Sequence, residues 1–99
     1  MKIPKRFKLF STTVKVVFDN KRMDDIHAYG YYEESESKIT LCKVDGVSKL
    51  PDDKILDTFY HERTHAILQA MNKKELSADE EFVDVFSKLL RQAIESEKY

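Results

Sequence analysis

The chain has 99 residues, enough for one small domain spanning 1–99 and too few for a second. Its 17 Lys and Arg nearly cancel its 18 Asp and Glu, and the net charge of −1 gives no general attraction to nucleic acid or to an anionic membrane. The single cysteine, Cys42, excludes an internal disulfide and a Cys-rich zinc module, and the short apolar runs exclude a transmembrane span or signal-peptide core, so a soluble, intracellular protein is expected.

The basic start, Lys2, Lys5, Arg6 and Lys8, reads as a solvated end. Residues 7–10 alternate apolar and polar, and residues 12–18 are β-branched and aromatic; both read as strand, with a break near Ser11. Asp19-Asn20-Lys21 has turn chemistry, and residues 21–28 fit a short loop or one turn of helix. Tyr29-Gly30-Tyr31-Tyr32 resumes a strand, and Glu33 to Ser37 fits a hairpin loop. From Lys38 to Lys43 the alternation is clean, with Ile39 and Leu41 on one face and Lys38, Thr40 and Cys42 on the other. Asp45-Gly46 marks a further turn.

Pro51-Asp52-Asp53 opens a helix predicted over about 51–72, with proline in the first turn and acids at the positive end of the dipole. Ile55, Leu56, Phe59, Tyr60, Ala66, Ile67, Ala70 and Met71 gather on one arc, and His61, His65, Leu68 and Asn72 lie opposite. Arg63 falls inside the apolar arc and must run its stem along the surface or meet an acid. A second helix is predicted from Ser77-Ala78-Asp79-Glu80 to about residue 96, with a buried stripe of Phe82, Val83, Phe86, Leu89, Leu90, Ala93 and Ile94. The order implies an α+β fold: a small three- or four-stranded antiparallel or mixed sheet, then two long helices.

His61-Glu62-Arg63-Thr64-His65 has the form H-E-x-x-H. Residues four apart share a helix face, so both imidazoles can reach one Zn²⁺. Glu62, about 100° further round, stands where a general base takes a proton from an activated water. A catalytic zinc needs a third protein ligand, and Glu80 is the candidate. A competing reading makes Ser77-x-x-Glu80 a capping box; Glu81 or Asp84, then Glu75, would follow as ligand. His27 and Cys42 are weaker candidates, read as a solvated loop histidine and a packed thiol. Tyr29, Tyr31, Tyr32, Tyr60 and Tyr99 read mostly as packing residues, one of which could polarise a substrate carbonyl.

H-E-x-x-H followed by Glu80-x-x-x-Asp84 on the next helix resembles the gluzincin metallopeptidases, the thermolysin-like clan. In its brevity and order of elements the chain looks most like the minigluzincins and small phage or prophage zincin-like proteins. The resemblance implies zinc on His61, His65 and Glu80, Glu62 as general base and acid, and Asp84 hydrogen-bonded to a ligand histidine. It also implies a peptide or protein substrate added to an edge strand, taken to be near residues 38–43. The chain departs from that pattern at Arg63, a position commonly apolar, and in having no C-terminal subdomain.

The expected function is therefore a zinc-dependent peptidase. The alternative is a zinc-binding module that is catalytically weak, or latent with Ser96 to Tyr99 over the cleft.

Overall fold

A computed structural model describes residues 1–99. Strand β1 (Arg6–Leu9) reverses into β2 (Thr12–Phe18) at Phe10 and Ser11, where Phe10 adopts a left-handed φ of 55°. Asp19 ends β2 and caps helix α1 (Asn20–Asp25), its carboxylate accepting the Arg22 N–H at 3.0 Å. Strand β3 (Gly30–Glu33) is joined to β4 (Lys38–Leu41) through a 3₁₀ turn at Glu34–Glu36. Around the Asp45-Gly46 turn, β5 (Val44–Asp45) and β6 (Ser48–Lys49) form a small hairpin, with Gly46 supplying the φ of 62° that the reversal needs. Helices α2 (Asp52–Ala70), α3 (Lys74–Ser77) and α4 (Glu80–Glu95) follow.

The fold is α+β, with a mixed four-stranded sheet in the order β1-β2-β4-β3 and the separate hairpin. Strand β4 lies inside the sheet, parallel to β2 and antiparallel to β3. The expectation that residues 38–43 form an open edge is thus corrected: both sides of β4 are paired, and β3 is the free edge that borders the groove described below, opposite the helices. A central strand is covered on both faces, so Thr40 and Cys42 are buried along with Ile39 and Leu41.

One face of the sheet supplies Val14, Val16, Ile39 and Leu41, which meet Phe59 of α2 to form the core. Phe59 stacks edge-on against Phe7 and Tyr60, with ring centroids 6.3 and 5.8 Å away. Gly30 lets α2 approach: a Cβ there would lie 2.5 Å from Thr58 Cγ2 and 3.2 Å from Glu62 Cγ. Buried residues on α2 extend beyond the expected arc to Glu62, Thr64 and Leu68, because the sheet covers one side and α3 and α4 cover another. Ala70 and Met71, placed on the arc by sequence, are exposed at the helix end. Arg63 meets no acid; its guanidinium lies over Phe59 and Tyr60, 4.8 and 4.6 Å from their centroids.

Helix α2 stops at Asn72, whose φ of 59° lets the Lys73 N–H reach back to the Leu68 carbonyl at 2.8 Å. Arg91 ties α4 to α2 through Asp53 at 2.7 Å and Asp57 at 2.9 Å, and also holds Glu95 at 3.0 Å. Of the stripe expected to be buried on α4, Val83 alone is buried; Phe82 and Leu90 are half-buried, and Phe86, Leu89, Ala93 and Ile94 are exposed. The periodicity is real, but α4 packs on α2 and α3 with the Val83 and Ser87 edge of the helix. No helix is long and apolar enough to cross a membrane.

Candidate metal centre

His61 and His65 stand one turn apart on α2, with ring centroids 4.9 Å from each other. Glu80, in the first turn of α4, spans them: Oε2 is 3.1 Å from His61 Nε2, and Oε1 is 3.2 Å from His65 Nε2. Ligand atoms about 2.0–2.1 Å from a tetrahedral ion lie roughly 3.3 Å apart, and these separations are close to that. Ligand atoms of all three residues fall within 4.8 Å of one another, so His61, His65 and Glu80 could hold a metal ion. Two imidazole nitrogens and a carboxylate are a donor set suited to a divalent transition metal.

The capping-box reading of Glu80 is overturned. Asp79 caps α4, its carboxylate accepting the Phe82 N–H at 3.1 Å. Ser77 belongs to α3 and is buried, with its hydroxyl 2.9 Å from His65 Nδ1. When His65 Nε2 offers its lone pair, Nδ1 carries the proton and donates it to Ser77 Oγ. The Gln69 amide donates to the same oxygen at 3.4 Å. Sequence reasoning missed Ser77 because a serine before a helix reads as a cap, and the separate turn of α3 leaves no periodic signal.

Asp84 Oδ1 is 3.7 Å from His61 Nδ1, an ion-pair separation longer than a hydrogen bond, and its Oδ2 accepts from Lys88 at 3.1 Å. Glu75 and Glu81, the reserve ligands, are exposed and outside the cluster.

Glu62 turns from the histidine side toward β3 and is 8% exposed. Burial first, and then the charge of Glu80, raises its carboxyl to about 7, against a smaller lowering by the Tyr32 backbone N–H. A carboxylate that releases and accepts a proton near neutral pH is suited to general-base work. Burial also lowers His65 below the ordinary histidine range, favouring the neutral ring that a metal requires. Glu80 raises it and His61 lowers it by lesser amounts.

A groove of about 580 Å³ runs past these groups between β3 and the helices, lined by Gly30, Tyr31 and Tyr32 on one side and by Gln69 and Ser77 on the other. Lys74 and Glu34 pair across one end at 3.9 Å. Past His61 and Glu62 it continues into a second hollow of about 280 Å³ lined by Tyr29, Lys54, Asp57 and Lys88. Residues 96–99 line neither hollow, and Tyr99 is fully exposed, which overturns the idea that the C-terminal segment covers the cleft.

The remaining candidates lie elsewhere. His27, with a φ of 55°, borders a separate hollow with Cys42. The Cys42 thiol is buried against the Tyr29 carbonyl at 3.5 Å, and burial raises its pKa, so it stays a thiol. Tyr29 donates to Asp45 at 2.9 Å, and Tyr60 packs beside Phe59.

Compared with known proteins, the chain matches no family model, no curated protein and no solved structure.

Proposed function

We propose that the chain is a zinc-dependent peptidase of gluzincin type, reduced to the parts that hold the metal and one strand that holds the substrate. The observation that carries this reading is the bridging of two histidine Nε2 atoms by one Glu80 carboxylate, with the buried Glu62 beside them. Zinc held there would polarise the scissile carbonyl and lower the pKa of water to about 7. Glu62 takes the proton of the water that attacks the peptide carbon and delivers it to the departing amine, so the carboxylate is regenerated in each cycle. Ser77 fixes the ring of His65 through a hydrogen bond, and Asp84 faces Nδ1 of His61 as a charge partner at 3.7 Å. The free edge of β3 offers backbone groups to an extended peptide, in place of the edge expected at residues 38–43.

Two substitutions test the division of labour. Glu62→Gln is expected to keep zinc and lose about 10²- to 10⁴-fold in peptide cleavage. Glu80→Gln is expected to weaken zinc binding far more than Glu81→Gln, as read by competition with a chromophoric chelator. A fully active Glu62→Gln enzyme would sink the mechanism, and equal, small losses of affinity would remove Glu80 from the site.

A second reading keeps the zinc and gives up the catalysis, leaving a binding or regulatory module. It is favoured by the placing of the cations along the groove: Lys74 pairs with Glu34, Lys88 with Asp84, and Lys54 lies over the Tyr29 ring, so none points at the histidines to stabilise a developing oxyanion. A zinc-loaded protein that cleaves nothing in a peptide library would select this reading.

A further inference from the structure

The exposed stripe on α4 is the largest departure from what the sequence leads one to expect. Leu89 is 60% exposed, Val85 53% and Phe86 46%, and Phe82 stacks on Phe86 with centroids 5.7 Å apart. A contiguous row of large apolar side chains on a small domain marks a contact surface.

The row has a definite spacing. Phe82, Phe86, Leu89 and Ala93 are separated by four, three and four residues, the alternation that lets one helix lie along another. The flanking positions Val85, Leu90 and Gln92 carry no charge. Two such helices related by a two-fold axis can run parallel or antiparallel. In the parallel, in-register pairing Phe82 meets Phe82, Phe86 meets Phe86 and Ala93 meets Ala93, so bulky residues collide at one end and a gap opens at the other. In the antiparallel pairing Phe86 lies on Leu89 of the second copy, and Phe82 falls opposite Ala93. Large then faces small at both ends, which is how a seam fills evenly.

We propose that α4 is the interface of a homodimer in which two copies pack antiparallel along Phe82, Phe86, Leu89 and Ala93. Self-complementarity is what a two-fold interface requires, and this stripe has it. Leu89, Val85 and Phe86 each leave about half of their surface exposed, so covering the row and its polar borders on both copies would approach about 1,000 Å², the lower bound for a specific interface. Glu80 and Asp84 project from the other side of α4 toward α2, so the groove stays open in the dimer.

The test is sedimentation of the full chain from about 1 to 100 µM, a range that reveals pairs of micromolar affinity. Wild-type protein is expected to sediment as a pair at the upper end. Leu89→Glu is expected to sediment as a single chain throughout with unchanged far-UV circular dichroism, and Val85→Lys provides an independent disruption at an equally exposed position. Wild-type protein that stays a single chain at every concentration overturns the proposal, as does a pair that survives both substitutions. Orientation is read from the doubly substituted Val85→Cys, Gln92→Cys protein after oxidation and digestion. The antiparallel seam links position 85 of one copy to position 92 of the other; links of 85 to 85 and 92 to 92 overturn that arrangement.

Discussion

Glu62 is buried at a cost to the protein. Its carboxyl has an ordinary pKa of 4.5 and is raised to about 7 in the folded chain, chiefly by burial. Between those values the folded state keeps a proton that the unfolded state has released, so stability is full below pH 4.5 and falls as the pH rises through 7. The loss amounts to about 3 kcal/mol in the metal-free protein. His65, whose pKa is lowered by burial, contributes with the opposite sign as the pH falls below the ordinary histidine range. Urea denaturation of metal-free wild type and Glu62→Gln at pH 4.5 and 8 separates the two, because His65 is common to both. The expected result is a difference that grows with pH in favour of the variant; a constant difference would show that Glu62 is not desolvated. Such a carboxylate, held away from solvent beside two histidines, lowers stability near neutral pH, and it is the feature on which the proposed general-base role rests.

At the scale of elements, the site depends on how closely β3 lies against α2. Gly30 permits that contact, and a methyl group there would meet Thr58, Leu41 and the stem of Glu62 at once. Gly30→Ala is expected to destabilise the chain by about 1–3 kcal/mol through overpacking, with a lowered thermal midpoint, and to disturb Glu62 more than the metal ligands. Retained zinc affinity with reduced turnover is the signature to look for; an unaltered melting curve would place β3 further from α2 than the structure does. This dependence illustrates what the sequence could convey. The two long helices, the strands before them and the pair His61 and His65 were legible because each follows a local period or spacing. Ser77, Arg91 and Gly30 matter through contacts made across the fold, and a residue's partner in another element leaves no periodic trace. The place of β4 inside the sheet was illegible for the same reason, since alternation reports which face is buried and not which strand lies beside it. On α4 the period marked an apolar face, but nothing in it told that the fold would bury only Val83 of that stripe.

For the whole molecule, a metal bound only by the folded state adds to stability by mass action. The domain is small and its core centres on five buried residues, so such a contribution would be a substantial share of the total. Zinc at about 100 times its Kd is expected to add about 2.7 kcal/mol and to raise the melting temperature by several degrees, and a chelator is expected to reverse the shift. Glu80→Gln should blunt the response. A melting curve indifferent to zinc and to chelator would mean that the ligands do not converge in solution.

The left-handed turn at Asn72 also fixes what kinds of change in length the chain can absorb. Between His65 and that turn α2 is a rigid rod, and each residue added to it would swing everything beyond by about 100° and lift it by about 1.5 Å. Glu80 would then come round on the wrong side of the histidines, however well its own helix formed. The spacing from His65 to Glu80 is therefore a gauge of fixed length, closed to insertion or deletion even where its residues are exposed. The β5–β6 hairpin, whose tip residue Val47 is fully exposed, carries no such constraint and is the natural place for the chain to grow.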